Sequence, residues 1–148
     1  VNGLTVSYET NRKRLPVSVG SVGTAPVSVR VTQRESSTGE SPNGHDAIEF
    51  SARGSNVRFM TAIAAEPSGA TPPEVSGLTA SGGGLALRIA SRGEVDVVVS
   101  NPGGAPVQVV ASAGTLAITT THAVVVVRFD ATGAGRTVWT LGSGTVSY

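Results

Sequence analysis

The stretch YETNRKRLP, residues 8–16, sets Arg12, Lys13 and Arg14 side by side, the only run of like charge in the chain. Three adjacent cations could grip a uronate or sulfate group, with Tyr8 as a stacking surface beside them. Thr10 and Asn11 are turn formers, so the run falls on a hairpin tip, a location that keeps the side chains wet and favours a solvated turn over an anion grip. Attraction there would be salt-sensitive, because exposed charges are screened beyond a Debye length of about 8 to 10 Å.

Glu94 and Asp96 are the other chemistry-bearing pair. Two residues apart on a strand, they share a face, as a glycosidase's carboxylate pair might. Arg88 and Arg92 are near enough in sequence to neutralise both, which favours a solvated face over an acid/base pair. The two histidines, His45 in PNGHDA and His122 in TTTHAV, have no partner at metal-ligand spacing and sit at turn sequences. No nucleophile elbow, HExxH or phosphate-loop motif occurs, and the triplet Gly82, Gly83, Gly84 lacks the residues a phosphate cradle needs. The residue types therefore nominate no catalytic residue, no metal ligand and no cofactor. Aromatics make up only 4% of the chain, too few for the Trp and Tyr strip on which sugars stack. Trp139 and Tyr148 are the late-strand candidates. Alternation in TVWTL groups Trp139 with Thr137 and Leu141, a face read here as core rather than platform.

The elements that must position these residues are strands. Apolar residues recur with period two, and Gly, Pro, Ser, Thr and Asn cluster between the runs about every ten residues, the pattern of short antiparallel strands. With 148 residues, 39% hydrophobic and 14% charged, the chain is long and apolar enough to bury a core. The expected fold is all-β, an antiparallel β-sandwich of about 12 short strands connected largely by hairpins, in a single domain spanning residues 1–148. A formal net charge of +1 gives no basic field for nucleic acid. Cysteine is absent, which removes disulfide and thiolate chemistry. The longest apolar run, Ala123 to Val127, is far short of the roughly 20 residues of a membrane helix. The opening VNGLTVSY has neither Met nor a signal-like segment, and reads as a processed chain or a piece of a larger one.

Parity of loop length predicts three hairpin registers. In LALRIASRGEVDVVVS a three-residue loop, Ser91 to Gly93, aligns Leu87 and Ile89 with Val97 and Val95 and sets Arg88 opposite Asp96. In AIEFSARGSNVRFM an Arg53–Gly54 turn aligns Ile48 and Phe50 with Phe59 and Val57, placing Glu49 opposite Arg58. In TLAITTTHAVVVVRF a turn at Thr121 and His122 aligns Leu116 and Ile118 with Val127 and Val125, with Arg128 outside. EPSGATPPE (66–74) and ASGGGL (80–85), richest in Pro and Gly, read as a connection crossing between sheets.

Residues 56–67, NVRFMTAIAAEP, form an apolar strand ending in a proline turn, within a run of hairpins that closes in RTVWTLGSGTVSY. This pattern resembles the C-terminal all-β region of heparinase II/III-like polysaccharide lyases, in which an α/α toroid precedes antiparallel sheets. The resemblance implies an accessory or scaffold piece of a secreted enzyme acting on acidic polysaccharide, with the catalytic His and Tyr on parts of the parent outside this chain. Ten of the eleven basic residues are Arg, which with abundant Ala, Gly and Val suggests a GC-rich bacterial genome. The expected function is thus a non-catalytic domain of a secreted bacterial carbohydrate-active protein. Its partners would be a neighbouring domain or chain and, through Tyr8, Arg12, Lys13 and Arg14, acidic polysaccharide. A stand-alone carbohydrate-binding or adhesion module and a small hydrolase are the alternatives.

Overall fold

The computed structural model describes residues 2–10, 13–34, 45–110 and 117–148. Every regular element among them is a strand, in chain order β1 (Asn2–Thr10), β2 (Lys13–Gly23), β3 (Val27–Arg34), β4 (His45–Ala52), β5 (Phe59–Ala65), β6 (Glu74–Ala80), β7 (Leu85–Ser91), β8 (Glu94–Ser100), β9 (Val107–Val110), β10 (Ala117–Thr120), β11 (Val124–Phe129), β12 (Gly135–Leu141) and β13 (Val146–Ser147). They form an eight-stranded sheet ordered β12-β11-β8-β7-β6-β9-β10-β13, a three-stranded sheet β1-β2-β5 and the hairpin β3-β4. All pairings are antiparallel. The chain is all-β, with one large curled sheet against smaller ones, as its two-residue alternation predicts. No described helix is long and apolar enough to cross a membrane.

The eight-stranded sheet curls around its own core. Ala86, Val97, Val99, Val107, Val109, Ile118, Val125, Val127 and Phe129 form one buried cluster, each strand contributing alternate residues as the pleat requires. Burying a Val side chain contributes roughly 1.5 kcal/mol or more, so this valine-rich interior holds the curl shut. The opposite face of β6 and β7 is also buried, because β1, β2 and β5 pack on it. Leu87 is fully buried there. Gly20 on β2 marks a close approach: its backbone lies so near Val75 that a Cβ would collide with the valine side chain. The layers are offset, with β1 over β6, β2 over β6 and β7, and β5 over β7. The three-stranded layer therefore stops short of β8, β11 and β12.

Val97, Ile118, Val125 and Val127 face the core as the alternation predicts, but Leu87 and Ile89 lie on the face opposite Val97, Phe59 is exposed, and none of the three expected registers is formed. Between β7 and β8 the loop has two residues, not three. Arg92 (φ 51°) and Gly93 (φ 79°) both take left-handed conformations, as a type I′ hairpin turn demands. The one-residue slip pairs Ile89 with Asp96 and Arg88 with Val97. Strand β4 pairs with β3, not β5, and Glu49 meets Arg30 at 2.8 Å instead of Arg58. Residues 53–58 carry the chain from one sheet to another. Likewise β10 pairs with β9 and β13 while β11 pairs with β8 and β12, although Ile118, Val125 and Val127 do share the core; Leu116 lies outside the described residues. Local alternation fixes faces, and partners are set by whichever non-local packing buries those faces best.

The segment 66–73 crosses between sheets, joining β5 to β6. Residues 81–84 instead make the tight β6–β7 turn, with Gly82 and Gly83 left-handed at φ 62° and 74°.

Candidate functional site

A cleft of about 350 Å³ opens where β5 ends over the large sheet, between Ala64–Glu66 and the outward side chains of β7, β8 and β11. It gathers three carboxylates and two guanidiniums. Glu66 follows the uncharged strand β5, and its backbone N–H donates to Pro16 O at 3.0 Å, which turns the side chain inward to 8% exposure. There it accepts hydrogen bonds from Ser91 Oγ and, at 2.6 Å, from Arg92 Nε. Arg92 reaches it because the I′ turn projects that side chain back across the end of β7. The Ser91 hydrogen bond, with those of Arg92 and its charge behind it, holds the Glu66 carboxyl below its ordinary value against the opposing effect of burial. Glu66 stays ionised, as a buried carboxylate does when its hydrogen bonds favour the charged form.

The second cluster centres on Arg128. Register places it opposite Asp96, and its Nε and Nη2 donate to the two Asp96 oxygens at 2.7 and 2.8 Å. Its Nη1 stands 3.4 Å from Glu94 Oε2. The Asp96 hydrogen bonds first, then the charges of Asp96 and Glu94, raise the guanidinium above its usual value. Arg128 also lies over the Trp139 ring, 5.5 Å from its centroid, within cation–π range.

Glu94 and Asp96 do share a face, as their spacing predicts. Arg88 and Arg92 are not their partners. Arg88 bonds Glu74 at 3.1 Å, because the two-residue turn puts it on the opposite face, and Arg92 is taken by Glu66. Both carboxylates face one guanidinium instead, Asp96 through hydrogen bonds and Glu94 as an ion pair, so the geometry serves an ion-pair network rather than a water held between an acid and a base.

Trp139 is not core. It is 48% exposed, beside Leu141 at 67%, because β12 ends the sheet and nothing among the described residues is stacked over its outer face. Val138, its neighbour of opposite parity, packs on the core.

No protein-family model, curated protein or solved structure matches this chain.

Of the basic-run candidates, Lys13 and Arg14 open β2, paired with Thr10 and Glu9, and Tyr8 pairs with Leu15. Arg12, and the side chains of Tyr8, Lys13 and Arg14, lie outside the described part of the structure. The Glu66-to-Pro16 hydrogen bond puts this end of β2 at the same end of the three-stranded sheet as the cleft. His122 is turned to Gly142 O through Nδ1 at 2.9 Å. His45 pairs with Arg34 through the backbone, its side chain being outside the described part. No group of three or more potential metal ligands converges among the described residues.

Glu66 and Arg128 are the site residues that sequence reasoning passed over. The signal for Glu66 is faint but physical: it is the first charge after seven uncharged residues, Phe59 to Ala65. Nothing local in VVVVRF ties Arg128 to Asp96, 32 residues away.

Proposed function

We propose that this chain is a non-catalytic β-sandwich module, an accessory or scaffold domain of a secreted bacterial carbohydrate-active protein, working by docking rather than turnover. The engagement of Glu66, Glu94 and Asp96 by Arg92 and Arg128 carries this reading. Carboxylates held this way maintain a surface; a glycosidase or lyase needs one that can give up or take a proton. The resemblance of residues 56–67 to the all-β region of heparinase II/III-like lyases supports the carbohydrate setting. The basic run of Arg12, Lys13 and Arg14 with Tyr8 is the proposed contact for acidic polysaccharide.

The test has two arms. The purified chain, incubated with alginate, heparin and hyaluronan, yields no unsaturated uronate by ultraviolet absorbance. It is retained on an immobilised acidic polysaccharide at low salt, and changing Arg12, Lys13 and Arg14 together to Ala abolishes retention. Turnover that is lost on Glu94→Gln would overturn the non-catalytic reading; unchanged retention of the triple variant would overturn the basic contact.

The half-exposed Trp139 under Arg128 favours a second reading, a stand-alone carbohydrate-binding module that stacks a sugar ring on the indole. Glycan-array binding lost on Trp139→Ala would select it.

A further inference from the structure

We propose that the free edge of β5 and the uncovered outer face of β8, β11 and β12 together accept one extended segment of another polypeptide, which adds as a fourth strand to the sheet β1-β2-β5. This deepens the docking role proposed above by assigning the surface and the chemistry of the partner.

Among the described residues no strand pairs with the outer edge of β5. Exposed edges are normally blunted by charge, proline or a bulge. Strand β5, FMTAIAA, has no charge and no proline, and its pairing with β2 runs without a break from Phe59 to Ala65. Ile63 is 67% exposed and Phe59 47%. Among the described residues the edge is thus left open for pairing.

What lies beside that edge is equally unfinished. The large sheet continues past β5 through β8, β11 and β12. Its outer face there carries Val98, Val126 and Val124, half-buried, and Trp139 and Leu141, exposed. A strand laid along β5 would sit over this apolar floor. Ala62 and Ala64 share the parity of Gly20 and so face the floor; being small, they leave space beneath for larger side chains. Side chains of the opposite parity would lie beside Phe59 and Ile63. The segment that fits is therefore apolar on both faces, like a buried central strand.

Overhang decides the width of the occupant. Joining β5 to β5 of a second copy around a two-fold axis would drive each molecule's β8-β11-β12 shelf into the other's, so a single strand fits and a second sheet does not. Added antiparallel, like every pairing in this fold, the segment would bring its N-terminal end to the cleft. There Glu66, Glu94 and Asp96 stand against Arg92 and Arg128, three carboxylates to two guanidiniums, which suits a Lys or Arg at that end.

A displayed library of random ten-residue peptides, selected on the full chain, tests the proposal. Enriched peptides should be apolar through the centre, free of proline and basic near the N-terminus. Ile63→Lys, a change at an exposed position, should cut binding of a selected peptide at least tenfold, and Trp139→Ser should weaken it severalfold. Bound peptide should slow hydrogen exchange at Phe59–Ala65 at least tenfold. The proposal is overturned by absence of enrichment over the Ile63→Lys protein, by peptides that leave exchange at β5 unchanged, or by a β5-dependent dimer in sedimentation. Turnover by the chain would remove the non-catalytic reading but leave this selection unaffected, so the two failures are distinguishable.

Discussion

Tyr148 meets Phe129 edge-on, with ring centroids 6.2 Å apart and planes at 85°. Phe129 closes β11, next to one end of the eight-stranded sheet, and Tyr148 follows β13 at the other end, so this contact draws the two ends of the curl together. Gly135 leaves the room: a Cβ built there would lie 2.7 Å from Tyr148 Cδ2. Tyr148→Ala should lower stability by about 1 kcal/mol, the size of an edge-to-face aromatic pair. Gly135→Ala should also destabilise, but less in the Tyr148→Ala background, with a coupling of about 0.5 kcal/mol or more. Urea unfolding of the four proteins checks both; additive losses would mean that Tyr148 does not join the ends.

Asp96 and Arg128 form a two-pronged pair between β8 and β11. Asp96→Asn should cost on the order of 1 kcal/mol, since both groups are partly exposed. The chain has one tryptophan, and Arg128 lies over it, so the same variant should shift the intrinsic emission of Trp139 while far-ultraviolet circular dichroism is retained. Unchanged emission would show that Arg128 does not depend on Asp96 for its place over the ring.

The Glu66 carboxyl sits below its ordinary value of 4.5 when folded. A depressed folded value means that the unfolded chain binds the proton first, so stability from Glu66 is fully present above about pH 4.5 and is lost as pH falls through the folded value. Glu66→Gln should therefore lower the urea midpoint at pH 7 and lower it less at pH 3. Equal losses at both pH values would contradict an ionised Glu66 held by Ser91 and Arg92.

Ser21 and Thr61 face each other across β2 and β5, and among the described residues neither buried hydroxyl oxygen has a hydrogen-bond partner. A buried hydroxyl without a partner costs roughly 1 to 3 kcal/mol. Thr61→Val, similar in shape, should raise stability by about 1 kcal/mol in thermal or urea unfolding. A loss would indicate that water or a side chain satisfies the hydroxyl in solution.

Strand positions were legible because side chains in a strand repeat every two residues, so apolar alternation is written locally. The run EVDVVVS does form one strand, Glu94–Ser100, and Val125 and Val127 point inward as read. The site was less legible. Glu94 and Asp96 fall on one face as predicted, but their partner is Arg128 rather than Arg88, since a two-residue turn with Arg92 in a left-handed conformation slipped the register by one.

By itself the sequence determined that this chain is all-β, where most strands run and which residues of a strand share a face, all consequences of local periodicity and turn chemistry. Tertiary structure alone decided that β4 joins β3, that β10 and β11 part company, and that among the described strands the three-stranded sheet ends at β5. Pairing depends on which distant faces bury one another, and such partnerships are nearly degenerate among valine-rich strands. The exposed Trp139 and the open edge of β5 follow from that choice of partners, so no local pattern could announce them.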